Sequence, residues 1–218
     1  MNHGLRLYED ILSDAAALAL PALPRMIFVV HGSATVADHA LGDGEAWHGE
    51  DAVSLRAGSA GAACWRWEFA AAGAADGTAA GPGVSSREKL AAALETLPKG
   101  ELLLRGDSVG FPPGGGAYLH THQGPGIRCL IEGGIRIDTR GHSTSYGPGA
   151  AWYESGPDPV FAQAAADRPS RFIRVMILPR ALIGKSSLQF VNEADKSKPR
   201  AQQYKIFVDS PIAFAAAR

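Results

Sequence analysis

Apolar and polar residues alternate with a period of two along several short stretches of this chain. In Cys64-Trp65-Arg66-Trp67-Glu68-Phe69, the residues Trp65, Trp67 and Phe69 share one face and Cys64, Arg66 and Glu68 share the other. That is the spacing of a β-strand. Phe172 to Leu178 reads as a further strand, and Leu188-Gln189-Phe190-Val191 and Tyr204 to Val208 read as two more, flanking a charged loop. One stretch departs from this period. Ser85 with Glu88 has the form of a capping box. The run after it puts Leu90, Ala93, Leu94 and Leu97 on one helical face, and Pro98 stops it. The spacing therefore predicts one short linker helix over 85–98. Residues 71–85 (AAGAADGTAAGPGVS) are rich in Ala and Gly and nearly chargeless, the composition of a flexible loop.

An internal repeat organises the strands. Residues 25–58 can be laid over 126–156, so that Gly32 falls on Gly133, Val29-Val30 on Leu130-Ile131 and Val36 on Ile137. Each copy reads as an apolar strand, a Gly turn, a second strand, a Gly-rich loop and a third strand, the pattern of a sandwich or barrel. The composition agrees. The 218 residues include 26 Gly and 14 Pro, a density of turn residues that argues against a helical bundle.

Charge and cysteine content remove several classes. Lys and Arg number 21 against 22 Asp and Glu, which leaves no electrostatic footprint for nucleic acid. Two cysteines, Cys64 and Cys129, exclude a disulfide scaffold and a cysteine-only zinc site. No apolar run approaches the ~20 residues that span a bilayer. The Ala/Leu-rich segment 11–23 is flanked by Glu9, Asp10 and Asp14, where an export signal would carry positive charge. A cytoplasmic protein with reduced thiols, binding neither nucleic acid nor membrane, is expected.

Of seven histidines, only His120 and His122 have ligand spacing. In a strand, residues i and i+2 point to the same side, so two neutral imidazoles converge and can begin a site for a borderline divalent metal. Their context is FPPGGGAYLHTHQGPGIRCLIEGG (111–134): Gly114, five residues, His120, one residue, His122, and later Gly133. This resembles the first motif of the cupin superfamily. YGPGAAWYESGPDPVFAQA (146–164), with its Pro148-Gly149 turn, resembles the second. The resemblance covers 111–180 well and, through the repeat, 15–70 more weakly.

It implies an all-β bicupin: two double-stranded β-helix (jelly-roll) barrels joined by one short helix. Residues 1–84 would form an amino-terminal barrel and 85–98 the linker helix. The carboxy-terminal barrel would cover 99–180, and a tail, 181–218, would add strands to a barrel or to a partner subunit.

Two of the four ligands that the resemblance implies are missing. The usual Glu falls on Gly126 and the usual second-motif His on or near Val160. Any metal (Fe, Mn, Ni or Zn) would be held by His120 and His122 with Glu154 as third ligand, and Gln163 and Gln123 come behind. Arg128 lies two positions after Gly126 and so should point inward. A buried cation needs a partner, which leaves two readings: an anchor for a substrate carboxylate, or a salt bridge to Glu154 or Glu132. Tyr118 shares the facing of the histidines by parity and could line the pocket. Trp152 and Tyr153 straddle one strand, so that one ring points in. Cys129 should face away from the interior.

The amino-terminal copy has Ala19, Pro21 and Arg25 at the matching positions, which predicts a packed structural domain filled by Leu, Met and Val. His31, His39 and His48 fall there in loops or turns.

Three functional readings remain open. The first is a metal-dependent enzyme acting on a small oxygenated or carboxylated molecule. The cupin resemblance leaves its reaction open among dioxygenase, isomerase, decarboxylase and hydrolase, and implies no nucleotide cofactor. The second is a metal-free small-molecule binding or sensor module. The third is a structural homodimer whose tail strands exchange between subunits.

Overall fold

The computed structural model describes residues 3–71, 73–74 and 77–213. Strands dominate throughout, and the chain divides into two compact units between Leu94 and Glu95. The first contains β1 (His3–Leu12), β2 (Ala17–Leu20), β3 (Arg25–Val36), β4 (His39–Leu41), β5 (Ala46–Gly49), β6 (Val53–Ala71), β7 (Ala80–Gly81) and β8 (Val84–Leu94). They form one antiparallel sheet in the order β4-β3-β6-β1-β8-β7, with β2 paired to β6 and β5 to β3.

Two long strands bend this sheet over its own core. β3 and β6 turn together at Gly32 and Gly61, with φ of 87° and 77°. A Cβ on Gly32 would lie 2.3 Å from the Gly61 carbonyl oxygen, so only glycine allows the two backbones to meet there. Beyond the corner, Leu12, Leu18, Ile27, Val36, Leu55 and Cys64 gather into one apolar cluster.

The linker helix does not form. Residues 84–94 are strand β8, paired along β1 from Leu12↔Val84 to His3↔Leu94. Without β8, β1 would be an open edge. The full ladder of hydrogen bonds and the Arg87–Glu9 ion pair at 2.7 Å outweigh a weak local helix preference. The capping-box residues Ser85 and Glu88 lie in this strand, and the first unit extends to Leu94 rather than ending at residue 84. The expected loop at 71–85 falls partly on residues 72, 75 and 76, which lie outside the described residues. Within it, β7 pairs with the start of β8.

The polar face of β6 turns inward. Arg66 Nε lies 2.7 Å from Asp10 Oδ2, and its NH1 lies 2.7 Å from Glu68 Oε1. Arg25 Nε reaches the same Glu68 oxygen at 3.1 Å, and the Arg66 guanidinium sits 4.3 Å from the Tyr8 ring centroid. The interior of this unit is therefore apolar at one end and ionic at the other, not filled by Leu, Met and Val alone. Trp65, Trp67 and Phe69, on the opposite face, are buried as well.

The second unit is a sandwich of two five-stranded sheets that do not close into a ring. One sheet joins β9 (Leu102–Phe111), β11 (Gly126–Glu132), β14 (Ala151–Glu154), β16 (Ser170–Pro179) and β18 (Gln203–Ile212), in the order β14-β11-β16-β9-β18. The other joins β10 (Gly116–His122), β12 (Ile135–Thr139), β13 (His142–Tyr146), β15 (Val160–Ala164) and β17 (Leu188–Phe190), in the order β13-β12-β15-β10-β17. Phe111, Leu130, Trp152 and Phe172 from the first sheet meet Ile135, Ile137, Val160 and Ala162 from the second. The repeat is real in its path: β11 crosses into β12 at Gly133 (φ 82°), as β3 bends at Gly32. The tail supplies both expected strands, β17 on one sheet and β18 on the edge of the other.

The corner glycines carry a direct prediction. Gly133 meets the Pro169 carbonyl oxygen at 2.2 Å from an added Cβ, whereas Gly141, in a hairpin at φ 75°, meets nothing within 4 Å. Gly32→Ala and Gly133→Ala should each cost about 3 kcal/mol, and Gly141→Ala about 1 kcal/mol. Denaturant midpoints of the three variants give this ordering directly; equal losses would mean that the φ angle alone matters.

Candidate functional site

The inward faces of β9, β10, β11, β14 and β16 bring six ionisable side chains to one end of the sandwich. His120 and His122 come from β10, Arg128 from β11, Glu154 from β14, Arg174 from β16 and Asp107 from β9, and all six are buried. Strand parity accounts for most of this. Asp107 alternates with Val109 and Phe111, and Arg174 with Phe172, so each charge continues an apolar inward row.

The two imidazoles do converge, with ring centroids 4.9 Å apart. His120 Nδ1 lies 2.7 Å from the Tyr118 carbonyl oxygen. A carbonyl can only accept, so Nδ1 carries the proton and Nε2 is left with its lone pair. His122 Nδ1 lies 3.3 Å from Ser187 Oγ, and its Nε2 lies 3.5 Å from Arg174 NH1. Both rings are neutral at pH 7. Burial lowers each pKa from the usual 6.5, and the Arg174 and Arg128 cations push His122 well below it.

Glu154 is the centre of the cluster. Trp152 Nε1 donates to its Oε1 at 2.9 Å. Arg128 NH2 sits 2.7 Å from its Oε2, an ionic contact without an aligned hydrogen bond, and His122 Nε2 is 3.7 Å from the same oxygen. Arg128 also donates from NH1 to the Gly126 carbonyl at 2.7 Å. Burial pushes its pKa down to about 10 despite the Glu154 charge, so it stays a cation at neutral pH. Arg174 clamps Asp107 through two bonds of 2.7 and 2.9 Å. The cluster is charge-balanced: two guanidinium ions, two carboxylates and two neutral imidazoles.

Of the two structural readings of Arg128, the partner is Glu154. Glu132 instead pairs with Arg171 at 3.0 Å, on an exposed part of the strand. A glutamate in place of Gly126 would have no room, because an added Cβ would lie 2.5 Å from the Val175 carbonyl oxygen and 3.1 Å from Arg128 NH1.

The remaining expected residues stand apart from the cavity. Tyr118 does not share the histidine facing. The register of β10 slips between Ala117 and His120, so Ala117 rather than Tyr118 lines the cavity with the histidines. The Tyr118 ring instead carries Lys198 Nζ at 4.7 Å. Gln163 Nε2 donates to the Gly114 carbonyl at 2.8 Å and clamps a turn. Gln123 is tied by its backbone N–H to the Ser187 carbonyl. Trp152 packs between Tyr146 and Phe172 and orients Glu154. Cys129 is fully buried, with its Sγ 3.5 Å from the Gly149 carbonyl oxygen. His31 is an exposed side chain 3.6 Å from Asp43.

The cavity left between these groups measures about 20 Å³, enough for a water or a small ion. Among the described residues, no three His, Cys, Asp or Glu side chains gather to hold a metal. Two imidazoles are available as donors, but the carboxylate expected as third ligand is held by Arg128, and both guanidinium ions would repel a divalent cation. The residues as arranged do not make a three-ligand set.

No protein-family model and no curated protein matches the chain. Solved structures do. A deletion mutant of Bacillus subtilis oxalate decarboxylase superposes with a TM-score of 0.62 at 15% identity, covering 89% of this chain and 73% of that one. The same enzyme at pH 4.6 gives 0.61 at 15%, covering 90% and 72%. A third structure, from a study of the Mn(II) centres of that decarboxylase, gives 0.62 at 14%, covering 89% and 73%. At these identities the likeness is one of fold alone: the chain shares the all-β, jelly-roll architecture of those structures.

The neutral histidines make stability depend on pH. The unfolded chain binds a proton at each imidazole below about pH 6.5, and the folded chain does not. Stability should therefore fall as pH drops below 6.5, by up to about 1.4 kcal/mol per pH unit for each ring. Melting temperatures between pH 7 and 5 should show a steeper fall for the native protein than for His122→Gln. Parallel curves would mean that His122 titrates alike in both states.

Proposed function

We propose that the second unit is a metal-free cupin module that binds a small carboxylated or oxygenated molecule. The single observation carrying this reading is the 2.7 Å contact of Arg128 with Glu154, which places a fixed cation on the carboxylate a metal would need. The guanidinium balances that carboxylate as a divalent ion would, while the imidazole Nε2 of His120 offers its lone pair to a donor in the cavity. Arg174, paired with Asp107 and 3.5 Å from His122, supplies a second anchoring cation for an anion entering the cluster.

The untagged protein, loaded with Mn(II), Fe(II), Ni(II) or Zn(II) and desalted, should retain far less than one metal per chain. Arg128→Met should release Glu154 and raise retention toward one equivalent, because the ligand set His120, His122 and Glu154 is then unobstructed. One equivalent in the native protein, abolished in His120→Ala/His122→Ala, would replace this reading with the metal-dependent one. That second reading has one observation in its favour: Glu154 Oε2 accepts no aligned hydrogen bond and lies 3.7 Å from His122 Nε2.

The tail also supports a homodimer. β18 is the outer strand of its sheet among the described residues, an edge to which a second copy could add. Light scattering should give twice the chain mass; a monomer at every concentration tested would remove this assembly.

A further inference from the structure

A larger cavity of about 290 Å³ adjoins the cluster, built largely by the tail and separated from the inner cavity by Arg174, Leu188, Gln202 and Tyr204, which line both. Leu188 and Phe190 of β17 and Tyr204 and Ile206 of β18 give it apolar walls. Tyr204 and Ile206 are 51% and 56% exposed, unusual for an aromatic and an aliphatic side chain on a strand facing a cavity.

Its charges are unequal. Arg174 is paired with Asp107, and Arg105 with Asp209 at 2.8 Å and with the Leu182 and Lys185 carbonyls. That leaves Lys185 and Arg200 at the outer part, neither with a carboxylate partner among the described residues. The Arg200 guanidinium lies 4.9 Å from the Phe190 ring centroid, which holds it beside the apolar wall. At the inner junction the Gln202 Oε1 atom is buried and accepts no hydrogen bond from the described residues. A buried acceptor without a donor is costly, and a ligand donor would relieve it.

We propose that this tail-built cavity binds a small organic acid. Its carboxylate would meet Lys185 and Arg200, a flat apolar body would lie against Phe190, Tyr204 and Ile206, and a hydroxyl or amine at the far end would donate to Gln202 Oε1. The volume sits at the lower end of the ~300–1,000 Å³ of small-molecule sites, which suits one ring rather than a nucleotide. Its charged anchors, Lys185 and Arg200, line the outer cavity and not the inner one, so the site does not depend on what occupies the inner cluster.

Titration of the full chain with 4-hydroxybenzoate, benzoate and inorganic phosphate, followed by amide chemical shifts, tests the proposal. 4-Hydroxybenzoate should bind saturably, with the largest shifts over residues 185–206. Benzoate, lacking the donor, should bind about fivefold more weakly, and that difference should vanish in Gln202→Leu. Lys185→Gln/Arg200→Gln, at two exposed positions, should weaken both aromatic acids by about tenfold or more. The proposal is overturned if no shift saturates or if the double variant binds unchanged. It is equally overturned if phosphate binds as tightly as benzoate, which marks a bare anion site. Shifts confined to residues 120–128 would assign binding to the inner cluster and refute the outer one. Failure of the metal-free reading appears instead as retained metal, a separate readout.

Discussion

The contact between Arg128 and Glu154 governs the interior of the second unit. Either charge alone in that dry space would cost about 3–5 kcal/mol, so each exists there because of the other. The consequences spread through the neighbours. Glu154 must be held in place, and the Trp152 indole donates to its second oxygen. Arg128 needs room and a second acceptor, and Gly126 provides both, having no side chain and a carbonyl that accepts from NH1. Burial keeps both histidines neutral, and the Arg174 and Arg128 cations make a further positive charge there still less favourable. A chain of local requirements thus links one pair to the protonation state of the whole cluster.

Much of the fold was legible because strand alternation and Gly corners are local signals. The repeat over 25–58 and 126–156 marks the shared path of β3 and of β11 with β12, and the tail strands lie where their apolar runs begin. The linker helix over 85–98 was misread because its determinant is not local. Whether Leu90 and Leu94 serve a helix or a strand is settled by β1, more than 80 residues away in sequence, which offers an edge to be paired. The same limit applies at the site. His120, His122, Arg128 and Glu154 could be found from motif frame and parity. Tyr118 could not be placed, because one register slip in β10 reverses parity and leaves no mark in composition. Gln163 lies within the second motif, yet backbone carbonyls of a turn hold its side-chain amide.

The Arg174–Asp107 pair is the clearest omission. Arg174 within Phe172–Leu178, and Asp107 within a β9 that also carries Arg105 and Ser108, show no role while each strand is read alone. Taken together they were a signal: two opposite charges on inward rows of strands that pair with one another, with Arg174↔Asp107 directly in register. Finding them from sequence requires knowing that β9 and β16 are neighbours, which the hydrophobic pattern does not say.

A guanidinium and a metal ion beside Glu154 would give this interior different capacities. A metal ion offers open coordination positions and polarises whatever occupies them. A guanidinium keeps its charge and its planar fork of donors, and has no coordination site to open. It can recognise a carboxylate by direction and charge, but it leaves the bonds of that carboxylate nearly as they were. On the proposed metal-free reading, Arg128 and Arg174 suit this interior to recognition rather than to chemistry. The 20 Å³ left between them is too small for anything beyond a water, an ion or a protruding head group. The larger space lies past Gln202 and Tyr204, where the tail meets β9 and β16.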